Sequence, residues 1–258
     1  MIIFNASMLN KNPTGVGIYS RKLIDIISKN TTLKFKILFI AETKFMSIYR
    51  LLWNFFCLPL KAKNGDLIFS FSTHGTPFHN NQIITIHDLI CLNFPEQHKF
   101  QYYYFKYLVP IILKSCRHIV AISEFTKSEI IKFYNIPAEK ISVINNGANI
   151  IRYQPSEKVE QQIANITGNR PFFISVGAAY SHKNMNRLIE AIELINNKEY
   201  AFLIIGKKNE YLQNIENITI NKNLHHVKFL NYVDDNLLAG LYTTAIANVY
   251  FSLYEGFG

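Results

Sequence analysis

What most constrains this chain is a regular alternation of short β-branched runs with segments whose apolar residues recur at helical spacing, the pattern of an α/β protein built on parallel sheets. Candidate strands occupy residues 1–5, 34–40, 66–71, 82–86, 118–122 and 141–144, enough for one doubly wound sheet. Between them Tyr19, Leu23, Ile26 and Ile27 share one helical face, as do Phe100, Tyr104, Tyr107, Leu108 and Ile111. Pro110 is expected to kink or restart the second of these helices. After Asn145-Asn146-Gly147 the chain turns polar through Pro155, which reads as a linker. A second series follows: strand 172–176, helix 184–195, strands 201–205 and 227–230, helix 234–242 and strand 247–251. The expectation is an α/β protein of two Rossmann-like parallel-sheet domains, residues 1–150 and residues 151–258, the second incomplete.

With 49% hydrophobic and 17% charged residues the chain can build real cores and lies far from the composition of disorder. Its longest apolar stretch, residues 51–60, is interrupted by Asn54 and is too short to span a membrane. Met1-Ile2-Ile3-Phe4 has none of the features of a secretory signal, so the expected location is the cytoplasm. Cys57, Cys91 and Cys116 are widely spaced and form no CxxC pair, which points to reduced thiols rather than a zinc site. The net charge of +9 is uneven: residues 1–150 hold 17 Lys and Arg against 8 Asp and Glu, and the remainder hold 10 of each. Such an excess is an argument about partners. No helix-turn-helix, zinc-finger or RNP-type string is present, so nucleic acid is not expected. The segment from Lys44 to Lys63 carries Lys44, Arg50, Lys61 and Lys63, no acid, and an apolar set that includes Ile48, Leu52, Trp53 and Phe56. It reads either as an amphipathic segment able to lie on an anionic membrane or as a core helix with solvated lysines.

In open α/β sheets ligands bind beyond the carboxyl ends of strands, so chemistry is sought in those loops. Thr14-Gly15-Val16-Gly17 follows the first strand and either lets backbone amides approach an anion or makes a simple turn. His87-Asp88 directly follows the strand at 82–86, where a histidine can hydrogen-bond a sugar hydroxyl or work as acid or base. Gly177 ends the strand at 172–176, and His182-Lys183-Asn184 follows at the head of a helix, where a lysine suits a phosphate. The last strand runs into Ser252-Leu253-Tyr254-Glu255-Gly256-Phe257-Gly258, an acid followed by a Gly-x-Gly whose amides can address the same ligand.

These strings, together with Thr85-Ile86-His87-Asp88-Leu89, Ala121-Ile122-Ser123-Glu124-Phe125-Thr126, Val143-Ile144-Asn145-Asn146-Gly147 and Leu203-Ile204-Ile205-Gly206-Lys207, resemble in content and order the retaining glycosyltransferases of family 4, especially their bacterial mannosyltransferase-like members. The resemblance implies the GT-B fold and transfer of a hexose from a nucleotide sugar, with GDP-mannose favoured, held mainly by the second domain. The acceptor would be a saccharide, lipid-linked, held mainly by the first domain in the synthesis of a surface polysaccharide. A peripheral place on the inner membrane face goes with such an acceptor. It implies no metal and no cofactor besides the sugar nucleotide. By the same resemblance His87 and Glu255 are the catalytic candidates, Glu255 as a sugar positioner and not a nucleophile. Gly15, Gly17, Gly177, Lys183, Gly206, Val233, Ser252, Gly256, Phe257 and Gly258 are the donor-binding candidates. Two departures are visible: His182 stands where the family usually has arginine, and the second glutamate of the paired motif would fall past Gly258. The expectation is therefore a C-terminally truncated transferase. The alternatives are an inactive remnant binding a membrane or partner, and a nucleotide-sugar epimerase of the same architecture.

Overall fold

The computed structural model describes residues 1–10, 15–30, 32–41, 43, 46–63, 65–147 and 153–257. Thr14, Lys44 and Gly258, named above, lie outside the described residues. The chain divides into two compact units: Met1–Gly147 with Glu255–Gly258, and Ala148–Tyr254. Glu255, Gly256 and Phe257 thus group with the first unit rather than with the second domain, to which the sequence assigns them.

The first unit is a six-stranded parallel sheet in the order β2-β1-β3-β4-β5-β6, with β1 (Ile2–Asn5), β2 (Phe35–Leu38), β3 (Leu67–Ser70), β4 (Gln82–Ile86), β5 (His118–Ala121) and β6 (Ile141–Val143). Ile84, Ile86, Ile119 and Ala121 are fully buried, as strands covered on both faces require. The crossover helices are α1 (Gly15–Asn30), α2 (Met46–Leu52), α3 (Leu58–Lys61), α4 (Ile90–Asn93), α5 (Lys99–Tyr103), α6 (Val109–Ser115) and α7 (Glu124–Tyr134). Strand order reverses at β1, with β2 on one side and β3 on the other, which opens a crevice at the carboxyl ends of β1 and β3.

Two helical segments of this unit share an unusual build. A π-helical turn, Trp53–Cys57, joins α2 to α3, and another, Tyr104–Leu108, joins α5 to α6. Each is followed at once by a helix whose second residue is proline, Pro59 or Pro110. A proline donates no backbone hydrogen bond, and its ring pushes against the carbonyl four residues earlier. Here those carbonyls, of Phe55 and Lys106, sit in the middle of the wide turns. The ladder absorbs the misfit by widening one turn, so Pro110 restarts its helix as expected. In the first segment Trp53, Asn54 and Leu58 are buried, while Ile48, Leu52, Phe56 and Leu60 are exposed. The buried face is what the core-helix reading expects, and the exposed apolar residues leave a second face open. Arg50, one of the segment's basic residues, turns inward onto the Ser7 carbonyl.

The second unit holds a four-stranded parallel sheet, β10-β7-β8-β9, from β7 (Phe172–Val176), β8 (Ala201–Ile205), β9 (Val227–Leu230) and β10 (Ala247–Asn248). It is packed by α8 (Glu157–Thr167), α9 (Met185–Ile195), α10 (Glu210–Asn221) and α11 (Asp235–Thr244). All five residues of β8 are buried between two apolar clusters, one centred on Leu188 and Ile192 and the other on Val159 and Leu241. The last strand is shorter than the expected 247–251. Val249 N still reaches the Ile174 carbonyl at 2.7 Å, but the chain then leaves β7 and bonds instead to the loop before α9. Asn184 is likewise not helical: it is left-handed, φ 54°, between a 3-10 turn at Ser181–Lys183 and α9. Among the described residues no helix is long and apolar enough to cross a membrane.

Candidate functional site

In the second unit the carboxyl ends of β7, β8 and β10 bring Gly177, Lys183, Gly206 and Ser252 into one loop cluster. Gly177 adopts φ 80°, a conformation natural to glycine, and its amide bonds to the Ile205 carbonyl at 2.8 Å. Lys183 Cε lies 3.9 Å from where a Cβ on Gly177 would stand, so the lysine stem covers the end of β7. The lysine Nζ stands 5.2 Å from the centre of the Tyr250 ring. At Gly206 a Cβ would come within 3.1 Å of the Ala178 amide nitrogen, a tight fit against backbone. Asn184 Nδ2 donates to the Phe251 carbonyl at 3.2 Å and Leu253 N to the His182 carbonyl at 2.7 Å, which ties the segment around Ser252 beside Lys183. Ser252 Oγ is buried with no hydrogen-bond partner among the described residues, a group that a ligand would satisfy. His182 is 4% exposed and stacks on Tyr180, so it does not present its ring as a surface cation. The Val233 side chain packs against the apolar cluster around Ile205 and Leu241.

In the first unit His87 follows β4, and its Nε2–H donates to the Phe71 carbonyl at 2.9 Å. Burial holds its pKa below the ordinary value, and Tyr19 of α1 meets the ring edge-on at 4.8 Å between centres. Gly15 and Gly17 are not in a loop but in the first turn of α1, whose opening amides lack helical partners. A Cβ on Gly15 would meet nothing within 4 Å, while Gly17 is buried. Burial raises the Asp88 carboxyl, and Glu255 adds to the rise.

Gly256 seats the final segment on this unit. Ser123 Oγ meets its carbonyl at 2.5 Å and Thr126 Oγ1 at 3.0 Å. Ser123 also caps α7, accepting from Thr126 N. Any side chain on Gly256 would collide with the His87 carbonyl and come within 2.8 Å of Asp88 Cβ. Glycine is thus required here by contact, and it places Glu255 beside Asp88. Phe257 is 44% exposed.

A further polar cluster, at the crevice between β1 and β3, was not read from the sequence. Asn5 Nδ2 reaches Asn54 Oδ1 at 2.6 Å and the His74 carbonyl at 2.7 Å, with Ser70 Oγ 2.9 Å away. Tyr104 donates its hydroxyl to the Thr73 carbonyl at 2.9 Å and stacks on His74 at 5.5 Å. Asn54 and Tyr104 come one from each π turn. The polar run Ser72-Thr73-His74 straight after a strand is the signal that could have found the place.

Burial, reinforced by the Arg50 charge, pushes His74 down to about 3. The folded state then binds fewer protons than the unfolded chain, so the contribution of His74 to stability is complete above about pH 6.5 and is lost as pH falls toward 3. The slope is about 1.4 kcal/mol per pH unit. Urea unfolding between pH 7.5 and 5 should show this loss, and His74→Gln should flatten it; equal slopes would contradict the buried neutral ring.

Residues 40–152 match the family model described as Glycosyltransferase Family 4, and residues 156–258 match the one described as Glycosyl transferases group 1. O-antigen chain mannosyltransferase RfbU of Salmonella typhimurium (strain LT2) is 32% identical over 203 residues, 78% of this chain and 54% of that protein. The chain spans about half the length of the curated relatives it matches. Among solved structures, HepE of Anabaena in complex with UDP and glucose has a TM-score of 0.66 at 18% identity, over 100% of this chain and 76% of that one. Sucrose-phosphate synthase from Thermosynechococcus elongatus has a TM-score of 0.72 at 16% identity, again over 100% and 76%. At these identities the structures speak for the fold.

Proposed function

We propose that this chain, which carries a family 4 domain followed by a group 1 domain and so belongs to the GT-B glycosyltransferases, moves a hexose from a nucleotide-diphosphate sugar to a saccharide acceptor with retention and without metal. GDP-mannose is the proposed donor, supported by the O-antigen mannosyltransferase relatives. The UDP and glucose bound to HepE support a nucleotide-sugar donor in general. The observation that carries the reading is the loop cluster of the second unit, where the Lys183 stem lies over Gly177, Leu253 N bonds to the His182 carbonyl, and the Ser252 hydroxyl is buried without a partner among the described residues.

In the proposed step the acceptor hydroxyl attacks the anomeric carbon on the face from which the diphosphate departs, and its proton passes to the departing phosphate oxygen. Negative charge grows on the diphosphate, and Lys183 is the cation that meets it. His87, neutral and held by the Phe71 carbonyl, offers Nδ1 to a sugar hydroxyl. Glu255 positions a second hydroxyl with the Phe257 amide. Isothermal titration with GDP-mannose and with UDP-glucose tests the reading: saturable binding, stronger for GDP-mannose, is expected, and binding of neither would overturn it.

We place the acceptor on a membrane, as a lipid-linked saccharide. Ile48, Leu52, Phe56 and Leu60 form an exposed apolar stripe along α2 and α3. Phe100, Tyr103, Tyr107 and Ile111 form a second along α5 and α6, accompanied by Lys99, Lys106 and Lys114. Residues 46–63 and 97–116 contain no acid. Such stripes suit an anionic interface. Co-sedimentation with vesicles containing phosphatidylglycerol should exceed that with phosphatidylcholine alone, and Leu60→Glu with Ile111→Glu should reduce it; indifference to lipid charge would remove the membrane from the proposal.

A further inference from the structure

We infer that Arg50 is the anchor of an oxyanion subsite at the carboxyl ends of β1 and β3, built to hold a phosphate carried by the acceptor. Arg50 projects from α2 and spends its Nε–H on the Ser7 carbonyl at 2.9 Å. Among the described residues its terminal nitrogens have no partner and no carboxylate pairs with it. A half-buried guanidinium without a counter-charge is costly to maintain, since a buried cation is ordinarily paired. Burial lowers its pKa, and its charge is felt by His74 and Tyr104. These neighbours are neutral at physiological pH: His74 is held near 3, and burial pushes the Tyr104 phenol up. The subsite therefore carries one positive charge beside His74 and Tyr104, with no acid paired to it among the described residues.

Two independent features aim the surroundings at this point. Both π turns of the unit deliver a side chain here, Asn54 from one and Tyr104 from the other; a π turn is kept against the regular ladder most often where a site needs it. The crevice is also the place where strand order reverses, the usual seat of a ligand in such sheets. The planar fork of an arginine suits a phosphate, which accepts two parallel hydrogen bonds. Arg50 stands on the same helix as exposed Ile48 and Leu52, so a ligand with a phosphate head and an apolar tail has both parts served by α2. That the phosphate belongs to a lipid-linked acceptor rests on the transferase reading above; the anion subsite itself does not.

The test is isothermal titration of the full chain with inorganic pyrophosphate in a Lys183→Ala background, which removes the proposed donor site. Saturable binding should remain there and weaken at least about 30-fold when Arg50→Gln is added, with Arg50→Lys weakening it less. Melting curves without ligand control for folding: Arg50→Gln should leave the midpoint unchanged or raise it, because an unpaired charge is removed. Unchanged pyrophosphate binding in Arg50→Gln, or a fall in its midpoint with binding retained, would make Arg50 a structural ligand of Ser7 and overturn the inference. Binding of Arg50→Gln to phosphatidylglycerol vesicles should equal that of the parent; a marked loss would assign the phosphate to bulk lipid headgroups instead and overturn the acceptor assignment. Failure to bind GDP-mannose with the Arg50-dependent pyrophosphate site intact would count against the donor reading alone.

Discussion

Lys183→Ala is expected to lower the transfer rate by about 10²- to 10³-fold, the usual effect of removing one group that meets developing charge in a transition state. The lysine stem lies over Gly177 and its charge faces the Tyr250 ring, so the ammonium is held at the end of β7 by packing that costs little to lose. The fold should survive, since α9 and β7 keep their core through Leu188, Ile189 and Ile174. Because the diphosphate carries more charge as the glycosidic bond breaks than in the bound donor, most of the loss should fall on kcat and a smaller part on KM. Steady-state kinetics with the sugar nucleotide, beside a melting curve, would check this. A change confined to KM would mean that Lys183 binds the ground state and does no more.

Gly256→Ala should be nearly as damaging by a different route. The new methyl would press on the His87 carbonyl and on Asp88 Cβ. His87 directly follows β4, where Ile86 is fully buried and cannot give way. The final segment must lift instead, at a cost of about 1–3 kcal/mol for the overlap and about 0.5–1.5 kcal/mol for each of the hydrogen bonds from Ser123 and Thr126 that it breaks. Glu255 then loses its place beside Asp88. We expect activity to fall at least about tenfold per 1.4 kcal/mol of lost positioning, and amide exchange at residues 255–257 to rise, with the core of the first unit unchanged. Gly15→Ala is the contrasting control: its Cβ meets nothing, so a comparable loss there would show that steric fit does not explain the effect at Gly256.

The sheets were legible because parallel strands buried on both faces read as unbroken apolar runs, as at residues 201–205, where every side chain is inside. The loops at their carboxyl ends follow directly from those runs, so Gly177, Lys183 and His87 were within reach of the sequence. Other features depend on tertiary contact. Residues 249–251 carry a strand-like pattern, yet the chain leaves the sheet because Asn184 and His182 offer it partners. Val233, a donor-binding candidate, packs its side chain against the core cluster. Gly256 joins the first unit through Ser123 and Thr126, residues far away in the chain. A strict helical period across residues 51–60 places Trp53 and Asn54 on different faces, whereas the wide turn buries both. Nothing in the spacing separates Arg50 from the segment's lysines, yet its Nε–H turns inward onto the Ser7 carbonyl.

The wide turns also bear on how the crevice could arise or vanish in descent. Each is a regular helix with one residue too many, and successive residues of a helix are about 100° apart around its axis. Removing a single codon before Pro59 or before Pro110 would restore the ordinary ladder and swing Asn54 or Tyr104 away from the ends of β1 and β3. The crevice is therefore recorded in chain length as much as in residue identity. A lineage can acquire or discard it by a one-residue insertion or deletion, with every side chain that lines it left unchanged.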